Sequence, residues 1–354
     1  MSVFKNFALD QSQLEDFIVL IQNVSRNKNL CITLVPPLAN MPPQHPPELQ
    51  ALRKGLVLRA NSLLMTVYGD ALAARKQAVW LGSLIEVAEL FGLSSRLVRT
   101  SAFRLTADGW FSVQRIGRRS YYQLSDSGLE RVLQADKRIY EFSQPVWDGL
   151  WTLVMIDPTM RASQRQALQR ELKWQSFGQL SPNLLAHPQA DASALRDILR
   201  QTQARQQVAV LQALSLPHEP AAPLQSIMGQ TFKLAQVAQM WAQFTRRFTP
   251  VRALADALSP EQAFYVRTLL IHEYRRVLLR DPNLPQAFLP TDWPGVQGRA
   301  LCAALYASLL APSEAYLRST LQTSQGPLKK TPAALLRRAQ SARAYNAHTP
   351  QGTP

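Results

Sequence analysis

The stretch that decides the reading is Ser94-Ser-Arg-Leu-Val-Arg-Thr-Ser-Ala-Phe-Arg-Leu105, followed past Asp108-Gly109 by Trp110-Phe-Ser-Val-Gln-Arg-Ile-Gly-Arg-Arg-Ser-Tyr-Tyr122. Its first half has helical spacing. Leu97, Val98, Ala102 (or Ser101) and Leu105 recur on one face, while Arg96, Arg99, Thr100 and Arg104 fall mostly on the other. Ser94 and Ser95 suit the cap that opens such a helix, and Phe103 is assigned to its packed side. The second half alternates as a strand does, turns at Gly117, and returns. Gly117 tolerates a left-handed backbone. Arg115, Arg118 and Arg119 gather at that turn, with Tyr121 on the returning strand.

On either side of this stretch, Val79-Trp80-Leu81 reads as a short strand and Ser83–Phe91 as a helix closed by Gly92, while Ser125–Tyr140 is helical again. The order helix, strand, helix, turn, helix, hairpin, helix over residues 59–143 is that of a winged helix-turn-helix. In that arrangement the second helix enters the major groove and its first turns meet base edges. An arginine can pair a guanine through two bonds, contributing about 1–3 kcal/mol of discrimination. The hairpin meets phosphates or the minor groove. From Arg96 to Arg119, six arginines stand against Asp108 alone among the acids. Residues 94–121 are therefore the candidate contact with double-stranded DNA. The same pattern also fits a solvated basic face that contacts a protein.

Residues 144–220 have a different rhythm. Trp151–Ile156 is a strand, Ser163–Trp174 a helix, Ser176–Leu180 and Leu184–Ala186 short strands, Ala192–Gln203 a helix and Val208–Leu216 a strand. That is the β-α-β-β-α-β order of a ferredoxin-like domain. Residues 221–324 read as an all-helical domain, with helices expected at Leu224–Phe248, Val251–Leu258, Pro260–Leu279 and Val296–Leu317. Residues 1–58 read as an extension and Pro-rich linker, with one helix at Gln13–Gln22. Residues 325–354 read as a basic, disordered tail with one weak helix near Ala333–Ala344. The fold class is α+β.

Composition bounds the partners. The 354 residues carry 39 Lys+Arg against 24 Asp+Glu, a net charge of +15, and 46 % are hydrophobic. Such an excess favours a polyanion, nucleic acid or an anionic membrane surface. The longest apolar stretch, Ala300–Ala311, falls short of the roughly 20 residues that span a bilayer, so no membrane is expected. Cys31 and Cys302 form neither a disulfide framework nor a metal pattern, which fits the cytoplasm. The five histidines have no metal spacing, and neither a phosphate-binding glycine loop nor a nucleophile elbow appears. No cofactor and no catalytic residue is expected.

The motifs Tyr68-Gly-Asp70, Trp80-Leu-Gly82, Val98-Arg-Thr100, Phe103-Arg-Leu105, Gly109-Trp110, Gly117-Arg-Arg-Ser-Tyr-Tyr122 and Leu124-Ser-Asp-Ser-Gly128 resemble the phenylacetic acid degradation repressor (PaaX-like) family. Trp151, Pro158, Arg161, Leu270-Ile-His-Glu-Tyr-Arg275, Asp281-Pro-Asn-Leu-Pro285 and Leu289-Pro-Thr-Asp-Trp-Pro-Gly295 continue the likeness, over about residues 60–320. It implies a winged helix domain, a Cas2-like middle domain and a helical C-terminal domain. It also implies a homodimer that represses aromatic-acid catabolic genes from a palindromic operator and is released by phenylacetyl-CoA or a related aryl-CoA. The chain departs from the family at Ser176-Phe-Gly178, where Gly-Phe-Gly is expected, and at Leu184-Leu-Ala186, where Trp-Ile or similar is expected.

Two further groups of residues are candidates under that likeness. Asp157 ends the first strand of the middle domain, where Cas2-like nucleases place a metal-binding aspartate, so a metal-dependent nuclease is the alternative function. Asp157-Pro158 equally suits the start of the next helix. His272 and Arg276 are i, i+4 neighbours on one helix face. With Tyr274, Arg275 and Trp293 they are candidates to line the effector site, because a CoA thioester needs cations for its phosphates and an apolar slot for its acyl group. The same residues also suit a helix packed by His and Tyr, with its arginines in solvent.

Overall fold

The computed structural model describes residues 46–142, 147–214 and 221–348. The expected helix at Gln13–Gln22, most of the Pro-rich linker and Cys31 lie outside these residues. The chain divides into two compact units. One takes the described residues up to Phe142, Gln243–Leu279 and those from Val296 onward; the other takes those between Phe142 and Gln243 together with Arg280–Gly295.

The first unit begins with α1 (Pro47–Arg53), which buries Leu49 and Leu52, so the expected linker ends in a packed helix. Helix α2 (Ala60–Val67) runs on into a wider turn at Tyr68–Leu72. Then follow β1 (Val79–Trp80), α3 (Leu81–Glu89), α4 (Ser95–Ala107), β2 (Phe111–Ile116), β3 (Arg119–Leu124) and α5 (Asp126–Tyr140). Helix α4 packs against α2 and α3 through Val98, Ala102 and Leu105, each 0 % exposed.

The second unit holds β4 (Trp151–Ile156), α6 (Ala162–Trp174), β5 (Gly178–Ser181), β6 (Leu184–His187), α7 (Ala192–Gln201), β7 (Val208–Ala213) and α8 (Ala221–Thr231). The strands form an antiparallel sheet in the order β5-β6-β4-β7, as the β-α-β-β-α-β reading requires. Val154, Ile156 and Leu185 of the sheet share one core with Leu168 and Leu172 of α6 and with Leu195 and Ile198 of α7. Burial of each such side chain contributes about 1.5–3 kcal/mol. Ser176, where the family likeness expects glycine, sits at φ 64°, in the left-handed region that glycine enters without steric cost.

The remaining helices are α9 (Leu234–Arg252), α10 (Pro260–Leu278) and α11 (Pro294–Thr320). Two helices replace the expected Leu224–Phe248, because the chain turns at Lys233 with φ 52°. Residues 221–324 divide between the two compact units. Helix α8, and α9 through Ala242, belong to the second unit; the rest of α9, with α10 and α11 from Val296, belongs to the first. The reason is visible in α10, opened by a reciprocal Ser259–Gln262 capping box. Phe264, Tyr265, Leu269, Leu270 and Tyr274 are all buried. Phe91, just after α3, stacks on Tyr265 with ring centroids 5.2 Å apart. Helix α11 is long and apolar enough to cross a membrane, but 61 % of its most apolar stretch is buried inside the protein and it also buries Arg299 and Glu314. Cys302 is free and buried on the same helix.

The expected disordered tail is ordered through residue 348. Strands β8 (Gln322–Thr323) and β9 (Gly326–Pro327) extend the hairpin sheet to the order β2-β3-β1-β8-β9. Helix α12 (Ala333–His348) buries Leu335, Ala339 and Ala342, a narrow stripe among basic residues. Its Arg338 is also buried, because it donates to the Asp70 backbone carbonyl and pairs with Asp136. A polar network continues inward. Arg267 Nε lies 2.8 Å from Asp70 Oδ2 and Nη1 lies 3.0 Å from Glu314, which also pairs with Arg75. The Tyr140 and Tyr306 hydroxyls lie 2.5 and 3.1 Å from Asp70 Oδ1.

Candidate nucleic-acid interface

Helix α4 opens where Ser94 Oγ accepts from the Leu97 amide at 3.4 Å, a cap that fixes the first turn. Its inner face is the one expected: Val98, Ser101, Ala102 and Leu105 are buried, with Leu97 half-buried. Arg96, Arg99, Thr100 and Arg104 are exposed on the outer face. Arg99 Nε donates to Ser95 Oγ at 3.3 Å, and the Thr100 hydroxyl donates to the Arg96 carbonyl at 2.9 Å. Phe103, expected in the core, is instead 72 % exposed on this same face.

The hairpin turns on two residues, Gly117 and Arg118, with Ile116 opposite Arg119 in register. Gly117 has φ 58°, a backbone that disfavours a side chain. Arg115, Arg118 and Arg119 are all exposed. Arg119 does not extend freely from the tip. Its guanidinium stacks 4.5 Å above the Trp80 ring and donates to Gln322 Oε1 at 3.3 Å. Such a stack contributes about 0.5–1 kcal/mol at an exposed site, so Arg119 braces the hairpin against β1 and β8. Tyr121, expected at the contact surface, is instead buried. It is 8 % exposed and faces β1 opposite Trp80, which removes it from the contact surface. Helix and hairpin together present a cationic face, and polyanions are bound by such faces through counterion release.

The five effector candidates divide between the two units. His272, Tyr274 and Arg275 are buried inside the first unit. The Thr66 hydroxyl oxygen lies 3.1 Å from His272 Nδ1 and accepts from Arg275 Nη1 at 3.0 Å. Burial, helped by Arg275 and Arg276, pulls the His272 pKa down to about 3. Arg276 is exposed and paired with Glu273 at 2.8 Å. Trp293 is buried in the second unit. Arg275 borders a cavity of ≈ 10 Å³ with Thr66, Asp136 and Tyr140, space for about one water. A larger cavity of ≈ 160 Å³ at the foot of the hairpin, lined by Tyr68, Lys76, Gln77, Gln123 and Leu129 among others, contains none of the candidates.

Asp157 serves a turn. Its Oδ1 accepts from the Thr159 amide and hydroxyl, both at 2.7 Å, and these bonds hold its carboxyl below the usual carboxylate range. The following helix begins only at Ala162, so Asp157 is not its cap. Among the described residues no three His, Cys, Asp or Glu side chains gather as metal ligands.

Known proteins agree along the chain. Residues 59–128 match PaaX-like protein, residues 144–224 the PaaX protein central Cas2-like domain, and residues 232–319 the PaaX-like protein C-terminal domain. The transcriptional repressor PaaX of Escherichia coli (strain K12) is 37 % identical over 272 residues, which are 76 % of this chain and 86 % of that protein. A solved structure, the uncharacterized protein Rv0674 from Mycobacterium tuberculosis, is 22 % identical and covers 72 % of this chain and 98 % of its own, with a TM-score of 0.47. The ordered matches to all three parts and the identity to the Escherichia coli repressor place the chain in the PaaX-like family.

Proposed function

We propose that this protein is a transcriptional repressor that binds operator DNA as a homodimer in the cytoplasm. The segment from α3 to β3 acts as a winged helix-turn-helix, with α4 in the major groove and the Gly117-Arg118 tip on the backbone or minor groove. The observation that carries this reading is the joint exposure of Arg96, Arg99, Arg104, Arg115 and Arg118 on one helix and the hairpin that follows it. The relative named a transcriptional repressor supports it. A dimer would set two α4 helices in successive major grooves, about 34 Å apart, on a palindromic site.

The family likeness extends the proposal to the genes and the signal. The operator lies before aromatic-acid catabolic genes, those for phenylacetate foremost, and an aryl-CoA such as phenylacetyl-CoA releases the protein. A ligand can do so only by binding the DNA-free state more tightly than the DNA-bound one. Footprinting with the purified chain over such promoters, with and without phenylacetyl-CoA, tests both parts. One protected palindrome that clears on adding the thioester is expected. Protection without any preferred site overturns the repressor reading, and protection indifferent to every aryl-CoA overturns the effector.

A further inference from the structure

We infer that Phe103 reads sequence directly by packing on a thymine methyl group in the major groove. The inference rests on the DNA-binding reading above and names a contact within it. Three observations carry it. Phe103 is 72 % exposed, and it projects from an ordered helix rather than a loose end. It stands seven residues after Arg96 and four after Arg99, so it shares their helix face. Thr100 and Ala107, also exposed, complete the middle of that face, with Arg99 and Arg104 at its edges. The outer surface of α4 thus sets Phe103 and Ala107 among arginines. The Thr100 hydroxyl has spent its donor on the Arg96 carbonyl, which makes this surface less able to donate to base edges.

A surface that only held phosphates would gain nothing from an aromatic ring at its centre. In the major groove the bases present donors, acceptors and one apolar group, the C5-methyl of thymine. An exposed ring flanked by arginines is complementary to a thymine beside guanines. Phe103 would bury its edge there while Arg99 or Arg96 pairs the neighbouring guanine.

The test uses the full chain and DNA sites selected by it from random duplexes. Each thymine of the selected site is then replaced by deoxyuridine, which removes the methyl and nothing else. For the unaltered protein, one or two of these replacements should weaken binding about fourfold, the ratio that loss of one buried methyl gives. The Phe103→Ala variant should bind the parent site more weakly and be insensitive to those same replacements, while Phe103→Leu should retain part of the response. Thermal melting of both variants should match that of the unaltered chain, since the ring is outside the core. If Phe103→Ala responds to deoxyuridine as the unaltered protein does, the inference is overturned while DNA binding stands. The same holds if the variant changes only the oligomeric state of the free protein. If the unaltered chain selects no sequence at all, the DNA-reading proposal fails and this contact with it.

Discussion

Arg338 Nη1 donates to the backbone carbonyl of Asp70 at 2.9 Å, joining residues 268 positions apart in the chain. The guanidinium also lies 4.0 Å from the Tyr140 ring centroid and pairs with Asp136. Arg338 is the point at which α12 is fastened to the part of the chain that carries the hairpin. Removal of one partner from a buried pair leaves an uncompensated charge and costs about 3–5 kcal/mol. Arg338→Ala should therefore lower the urea midpoint by several kcal/mol equivalent, and deletion of residues 329–354 should do at least as much damage. A truncated chain with unchanged stability would show that α12 is dispensable.

Arg267 stands between Asp70 and Glu314 with 1 % of its side chain exposed. Arg267→Ala should be destabilising on the same scale of about 3–5 kcal/mol. Combined with Arg338→Ala, the loss should depart from additivity, since both arginines face Asp70 and neighbours in one network are coupled. Double-mutant unfolding curves measure this directly.

His272 gives the stability a pH signature. Its folded pKa, pulled to about 3 first by burial and then by Arg275 and Arg276, lies below the unfolded value of 6.5. The histidine therefore costs nothing above pH 6.5. Below it the unfolded chain takes up a proton that the folded chain refuses, so stability falls with pH, by up to about 1.4 kcal/mol per unit. Between pH 7 and pH 5 the His272→Gln variant should lose about 2 kcal/mol less than the parent, whatever its starting stability. Parallel urea titrations at the two pH values decide it.

Arg99 and Arg118 should fail in different ways. Arg99→Ala removes a candidate base contact and should weaken operator binding by about 1–3 kcal/mol while relaxing preference at one base position. Arg118→Ala removes a candidate phosphate contact. It should weaken all sequences alike and reduce the slope of log K against log salt by about 1. Fluorescence anisotropy across a salt series separates the two. Equal slopes for Arg118→Ala and the parent would take Arg118 off the backbone.

Ser176 at φ 64° is open to improvement. A left-handed backbone costs a residue with a side chain about 1–2 kcal/mol, offset in part by the entropy that glycine loses on folding. Ser176→Gly should stabilise the second unit by about 0.5–1 kcal/mol, read as a raised urea midpoint. A fall would mean that the hydroxyl matters more than the backbone.

The segments legible in the sequence were those governed by local rules. The Ser94 cap and the Val98, Ala102, Leu105 stripe placed α4 correctly, and the β-branched and aromatic run Trp151–Ile156 placed β4 to the residue. What was not legible depends on distant partners. Helix α12 looked too basic to pack, because nothing near Arg338 announces Asp70. The packing of the C-terminal helices on the hairpin-bearing part was hidden, because sequence order does not show Phe264 and Tyr265 against Phe91. His272, Tyr274 and Arg275 carry side chains typical of ligand sites, yet the same chemistry satisfies a helix buried on most sides. Phe103 was misplaced by identity alone; its spacing from Arg96 and Arg99 already put it outside.

Strand β8 has a consequence for how the protein is made. Hairpin β2-β3 is synthesised within the first 124 residues, but the strand that extends its sheet, and the Gln322 that holds Arg119, come some 200 residues later in the chain. Growth from the ribosome runs from the N-terminus, and early parts fold as they emerge. Until β8 and Gln322 emerge, the hairpin pairs with β1 alone and Arg119 keeps only its stack on Trp80.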